Sequence, residues 1–265
     1  MRHKSFWMSL LLLLFVSGGA GAARPADSAR IWLERMRAAL APSASTQAQA
    51  TLETWDGVEA GAVIQMTVSR HTSPTEKRTL IELTQPDAAK GTVYEVVAGQ
   101  AGSLERWEYL PSIRRLRRTS GIQRTDLFLG TEFSYEALDL AGSMERGRGR
   151  VDRVREEGRS LVRVTSPPGT FAGRTVTLIE PATSLPVRIS FYEQSGELSR
   201  IQEFGGIETI QGHRVPTVVV MRDVRSGSTS TLSLRDIQFD VEVPDEISER
   251  DEVQRSRATP RPSPR

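Results

Sequence analysis

The feature that most constrains this chain is a train of twelve short segments in which apolar and polar residues alternate or β-branched residues cluster. Gln49 to Trp55 and Ala62 to Arg70 come first, the second reading Ala62, Ile64, Met66 and Val68 against Val63, Gln65, Thr67 and Ser69, with the turn pair Asp56-Gly57 between them. Lys77 to Thr84, Thr92 to Val97 and Leu104 to Leu110 follow. After a gap come 151–155, 160–166, 175–180, 186–193, 198–204, 215–223 and 229–239. Pro167-Pro168-Gly169, Ser195-Gly196, Gly205-Gly206 and Ser226-Gly227 punctuate them. A period of two puts alternate side chains on opposite faces of a strand. Many such strands at even spacing predict a large antiparallel sheet, sandwich or barrel, and 265 residues suit one such domain.

Two helices are predicted beside the strands. Ser28 to Leu40 is amphipathic, with Trp32, Met36 and Ala39-Leu40 at helical spacing, Asp27 or Ser28 as the cap and Pro42 as the stop. Its apolar stripe needs a surface to cover, and a sheet supplies one. A second helix of about two turns is predicted over Tyr135 to Leu140, started by Thr131 or Ser134. From Glu249 to Arg265 the chain is nearly free of apolar residues and reads as a disordered tail. The domain expected between these limits is 24–248.

The first 23 residues read as an export signal. Arg2, His3 and Lys4 precede an apolar stretch from Phe6 to Val16, and Ala20-Gly21-Ala22 fits cleavage before Ala23. That stretch is shorter than the ~20 residues of a membrane span. The expected location is therefore the periplasm, in soluble form after cleavage. No cysteine is present, so neither a disulfide nor a lipidated cysteine is available. With Arg2 and Lys4 removed, 33 basic residues face 33 acidic ones, which argues against general nucleic-acid binding.

The sequence calls for no cofactor, no metal and no catalytic residue. It has no G-x-S-x-G, no P-loop and no G-x-G-x-x-G, and only His71 and His213 remain beyond the signal. Paired carboxylates such as Glu76/Glu82 and Glu132/Glu136 read more simply as solvated faces than as an acid–base pair.

Residues 81–139 stand apart. Pro86 with Lys90-Gly91 joins two strands, and Trp107-Glu108-Tyr109-Leu110-Pro111 leads into Arg114-Arg115-Leu116-Arg117-Arg118. Phe128-Leu129-Gly130-Thr131-Glu132-Phe133-Ser134-Tyr135-Glu136-Ala137-Leu138 follows. These three motifs resemble the outer-membrane lipoprotein-sorting family, the LolA-like exported proteins, with mild departures at Glu132 and Ala137, where Asp is the more usual residue. The resemblance spans about residues 28–250. It implies a mainly β fold: an open, incomplete antiparallel β-barrel whose N-terminal helix and short internal helix cover the concave face. It also implies a non-enzymatic carrier or chaperone that shelters a lipid or lipoprotein acyl chains, with an inner-membrane exporter as donor and an outer-membrane acceptor as partners. The other reading of the same fold is a lipid-sensing adaptor for an exporter or signalling protein; an enzyme acting on lipids is a third.

The candidate apolar ligand site is Leu83, Trp107, Tyr109, Phe128, Phe133 and Tyr135, where each aromatic serves either as core or as ligand contact. Trp107 and Tyr109, two apart, share one face of a strand. The candidate anion or partner rim is Arg114, Arg115, Arg117 and Arg118. From Arg106 to Arg124 six arginines face the one acid Glu108, a local charge of +5. Arginine binds phosphates bidentately, so lipid headgroups or an acidic protein suit the run; a charged strand edge that resists aggregation suits it equally.

Overall fold

The structure is a computed structural model that describes residues 25–99, 104–119, 126–135, 149–168 and 173–243. The signal segment, most of the second predicted helix and the C-terminal tail lie outside the described residues. The chain opens with α1 (Pro25–Leu40), then β1 (Ser45–Trp55), β2 (Ala60–Thr72), β3 (Glu76–Gln85), β4 (Val93–Gly99), β5 (Leu104–Leu110) and β6 (Arg115–Thr119). It continues through β7 (Arg150–Glu156), β8 (Arg159–Ser166), β9 (Thr175–Ile179), β10 (Pro186–Tyr192), β11 (Leu198–Ile210), β12 (His213–Asp223) and β13 (Thr229–Phe239).

All thirteen strands belong to one antiparallel sheet, in the order β6-β5-β4-β3-β2-β1-β13-β12-β11-β10-β9-β8-β7. Strands adjacent in sequence are paired in the sheet except β6 and β7, which form its two edges, and the pair not adjacent in sequence is β1 with β13, the first strand with the last. The edges β6 and β7 stay apart, so the barrel is open. Both edges are rich in arginine: Arg115, Arg117 and Arg118 on β6, and Arg150, Arg153 and Arg155 on β7. β6 escaped sequence reading because Leu116 is its one large apolar residue.

The helix begins at Pro25, earlier than the cap residues Asp27 and Ser28 predict. Proline is suited to a first turn because its missing N–H has no intrahelical partner there. Ala29, Leu33, Met36 and Leu40 recur every three or four residues and are buried. α1 packs against β12 and also against β7 and β8. In the sheet order β12 and β7 are five positions apart, about 24 Å on a flat sheet at ~4.8 Å per strand. A helix is only ~10–12 Å across, so the sheet curls around it.

Burial on the inner face follows the register. Leu52 faces Ile64 and Leu232, and Ala50 faces Met66 and Leu234. Met66 faces Leu83, and Ile81 faces Tyr94. With the α1 stripe these residues form the main core. A second, smaller cluster of Leu80, Val93 and Tyr109, flanked by Trp107 and Leu116, sits on the outer face.

Candidate functional site

Among the described residues the inner face is covered by two elements, α1 and the hairpin 126–135. The hairpin closes on itself: Phe128 N–H donates to the Phe133 carbonyl (2.8 Å), Tyr135 N–H to Asp126 (3.2 Å) and Thr131 N–H to Phe128 (2.9 Å). Leu129 and Gly130 both have positive φ (47° and 76°), the pattern of a type I′ turn, which accounts for the glycine of the F-x-G-T motif. The Thr131 hydroxyl donates to the Phe128 carbonyl (2.8 Å), so the threonine is consumed in shaping the turn.

One side of the hairpin rests on β4 and β5. Tyr94, Phe128 and Tyr135 meet edge to face, with ring centroids 5.7, 5.8 and 5.1 Å apart. The Arg106 guanidinium lies over the Tyr135 ring at 4.3 Å. Burial raises the Tyr94 hydroxyl pKa above its ordinary value, and the Glu108 carboxylate beside it adds to the rise. Burial also raises that of Tyr135, while Arg106 opposes the rise. The other side of the hairpin reaches β11 and β13. Glu132 N–H donates to Ser230 Oγ (2.9 Å), Ser228 Oγ donates to Glu132 Oε1 (2.6 Å), and Arg200 Nε stands 3.7 Å from Glu132 Oε2. The hairpin is therefore a strap across the inner face, pinned by aromatic edges at one side and by a polar latch at the other.

At the C-terminal end of α1, over β1, β2, β12 and β13, lies an apolar cavity of about 80 Å³. Leu40, Ala48, Val68, Leu232, Leu234 and Phe239 line it, with Thr46, Thr79 and Arg70 among its polar lining. Arg70 is buried and donates to Thr46 Oγ1 (3.0 Å).

Of the six predicted ligand-site residues, Leu83, Phe128, Phe133 and Tyr135 come together in the inner core. Trp107 and Tyr109 do not join them. The register sets Glu108 opposite Tyr94, so alternation sends both aromatics to the outer face, where they share a side with Leu80 and Val93. None of the six lines the cavity. Its actual lining was legible as strand alternation but not as a site, because β1, β2 and β13 meet only through the pairing of the chain ends.

The arginine run also divides. Arg114 occupies the β5–β6 turn with φ 48°, and Arg115 is exposed on β6. Arg117 Nε donates to Glu108 Oε2 (2.6 Å), whereas Arg118 donates to Glu105 (2.6 Å) and approaches the Trp107 ring on the outer face (5.7 Å). The four do not form one face, because consecutive strand residues alternate. Among the paired carboxylates, Glu76 accepts from Arg78 (2.7 Å) and Glu132 forms the latch; Glu136 lies outside the described residues. His71 and His213 are exposed on strands separated by β1 and β13.

The motif pieces on β3–β6 are turn-forming parts. Gly91 has φ 79° and a side chain there would meet Pro111 at 3.6 Å, so the K-G turn and the proline of W-x-Y-x-P pack together. No helix among the described residues is long and apolar enough to cross a membrane.

A family model whose description reads "Uncharacterized protein" matches residues 75–255, more than half of the chain. No curated protein matches it. Three solved structures share its architecture. A DUF1329 family protein from Desulfovibrio piger is 20% identical with a TM-score of 0.74, covering 85% of this chain and 98% of its own. An outer membrane lipoprotein-sorting protein domain from Vibrio parahaemolyticus is 18% identical with a TM-score of 0.71, covering 83% and 95%. A LolA superfamily protein from Nitrosomonas europaea is 17% identical with a TM-score of 0.62, covering 82% and 95%. At these identities the likeness is one of fold.

Proposed function

We propose that this chain, which belongs to the family of the matching model and shares its fold with an outer membrane lipoprotein-sorting protein domain and a LolA superfamily protein, is a non-enzymatic periplasmic carrier, exported by its first 23 residues, that shelters a lipid or lipoprotein acyl chains against the inner face of its 24–248 half-barrel. The observation that carries this reading is a curled apolar face covered by α1 and the strap, with an apolar cavity beside the C-terminal end of α1. The cavity, about 80 Å³, is far smaller than the ~300–1,000 Å³ of an ordinary ligand pocket. An acyl chain therefore enters by displacing α1 or the strap and takes over the contacts they make. Each methylene removed from water is worth ~0.8 kcal/mol, so a chain of ordinary length is held without any specific polar contact. Leu83, Phe128, Phe133 and Tyr135 then exchange strap–sheet contacts for ligand contacts. An exporter as donor and an outer-membrane protein as acceptor fit this role.

The test is direct. Delipidated protein is titrated with a hydrophobic fluorophore, and fatty acyl compounds are added to displace it. Saturable binding and displacement are expected, and mass spectrometry of protein taken from its native periplasm should find co-purifying lipid. Delipidated protein that binds no fluorophore sinks the proposal.

A further inference from the structure

Gln202 is fully buried, and neither its amide nitrogen nor its amide oxygen has a hydrogen-bond partner among the described residues. Its strand neighbours on the inner face are Ile189 of β10 and Met221 of β12, both core residues. A primary amide in such surroundings is costly, because it has lost water and gained nothing in exchange. Leucine or methionine would suit the position if packing alone were at stake. Two residues along the same face stands Arg200, about 6.6 Å away along a strand rising ~3.3 Å per residue. Arg200 makes only long ion pairs, 3.7 Å to Glu132 of the strap and 4.0 Å to Asp223. The strap latch thus ends on Arg200, and the unpartnered amide lies immediately inward of it.

The geometry points to a second, polar subsite under the strap that recognises the glycerol region of a glycerophospholipid. In it the Arg200 guanidinium takes the phosphate, and the Gln202 amide takes the first acyl ester. This rests on the carrier reading and names the ligand class for it. When the strap lifts at Glu132, Arg200 gives up one carboxylate and is free to pair with a phosphate, bidentately. The Gln202 N–H₂ donates to the ester carbonyl, and in a lysophospholipid its carbonyl accepts from the free hydroxyl of the glycerol. A glycerol unit holds phosphate and ester at a separation of the same order as two strand residues. The acyl chain then runs inward past Met221 and Phe204 into the apolar core. A pure hydrocarbon would satisfy the core but leave the amide as it is.

The test uses the full purified chain and four probes: an ester-linked lysophosphatidylglycerol, its ether-linked analogue, a monoacylglycerol with the same chain, and a hydrocarbon fluorophore. Wild type is expected to bind the ester about tenfold more tightly than the ether, the weight of one hydrogen bond, and more tightly than the monoacylglycerol. Gln202→Met keeps length and shape; it should abolish the ester–ether difference and leave the fluorophore unchanged. Arg200→Gln should abolish the preference for the phosphate-bearing probe. Equal binding of ester and ether by wild type overturns the subsite while fluorophore binding leaves the carrier reading standing. So does a Gln202→Met protein that loses all four probes equally. Should that variant fail to fold, the wild-type ester–ether comparison decides alone. Failure of wild type to bind even the fluorophore overturns the carrier reading, and the subsite with it.

Discussion

The two covers of the inner face are held by different physics. α1 lies on β7, β8 and β12 through Ala29, Leu33, Met36 and Leu40, contacts that are aliphatic and without preferred direction. The strap lies on β4, β5, β11 and β13 through edge-to-face rings, a guanidinium over Tyr135 and a carboxylate latch. Aliphatic contacts scale with area and give way gradually. Directional contacts are lost together once their geometry fails. The strap is therefore the cover suited to lift as a unit, and α1 the one suited to slide.

The largest effects should fall on both covers alike, because both reach the core. Phe133→Ala, at a side chain with no exposure, should cost about 3–5 kcal/mol, and Met36→Ala in α1 about 2–5 kcal/mol, read by denaturant unfolding. Costs under 1 kcal/mol at Phe133 would mean that the strap is not part of the core. The next effect separates the covers. Glu132→Ala leaves the Ser228 hydroxyl and Arg200 without their carboxylate and should cost about 1–3 kcal/mol. Amide exchange should rise in 126–135 and stay unchanged in α1. Equal acceleration in both would erase the distinction.

A third test uses pH. The Tyr94 hydroxyl has a raised pKa in the folded protein, so it stays neutral where the unfolded chain ionises. Its contribution is complete below the unfolded value of ~10 and is lost as pH rises beyond it. Wild type should therefore lose stability above that pH more steeply than Tyr94→Phe, measured by urea titration across the alkaline range. Parallel curves would show that the phenol does not contribute. The smallest effect belongs to the arginine run. Changing Arg114, Arg115, Arg117 and Arg118 to Gln should alter stability by no more than ~0.5 kcal/mol per exposed site. If the run meets phosphates, binding to anionic vesicles should weaken and lose its salt dependence; a variant indistinguishable from wild type at both low and high salt would leave it an edge device.

Much of the architecture was legible because alternation is local. Strand parity in Ala62 to Arg70 and in Leu104 to Leu110 needed nothing beyond the pattern, and the α1 stripe followed from 3.6-residue spacing. Which face points inward is not local. Trp107 and Tyr109 share a side, as their spacing requires, yet only the pairing of Glu108 with Tyr94 reveals that the side is outward. The cavity depends on the pairing of β1 with β13, some 180 residues apart in sequence, and no window of sequence carries that. Gln202 was invisible for a different reason. In sequence it is an ordinary polar residue of an amphipathic strand, and its meaning arises only from total burial.

A sheet that curls but does not close keeps two free borders, each with backbone groups ready to accept another strand. In this protein both borders bear arginines, at 115, 117 and 118 on one and at 150, 153 and 155 on the other. Asp152 and Glu156 stand among the arginines of the second border, and Arg117 and Arg118 of the first pair with Glu108 and Glu105, so both borders carry many charged side chains, which disfavour border-to-border zipping. Charge on an exposed border is one of the devices by which open sheets avoid joining edge to edge when copies are crowded. Exposed charges are screened over ~8–10 Å at physiological ionic strength, so a border protected in this way is protected less as salt rises.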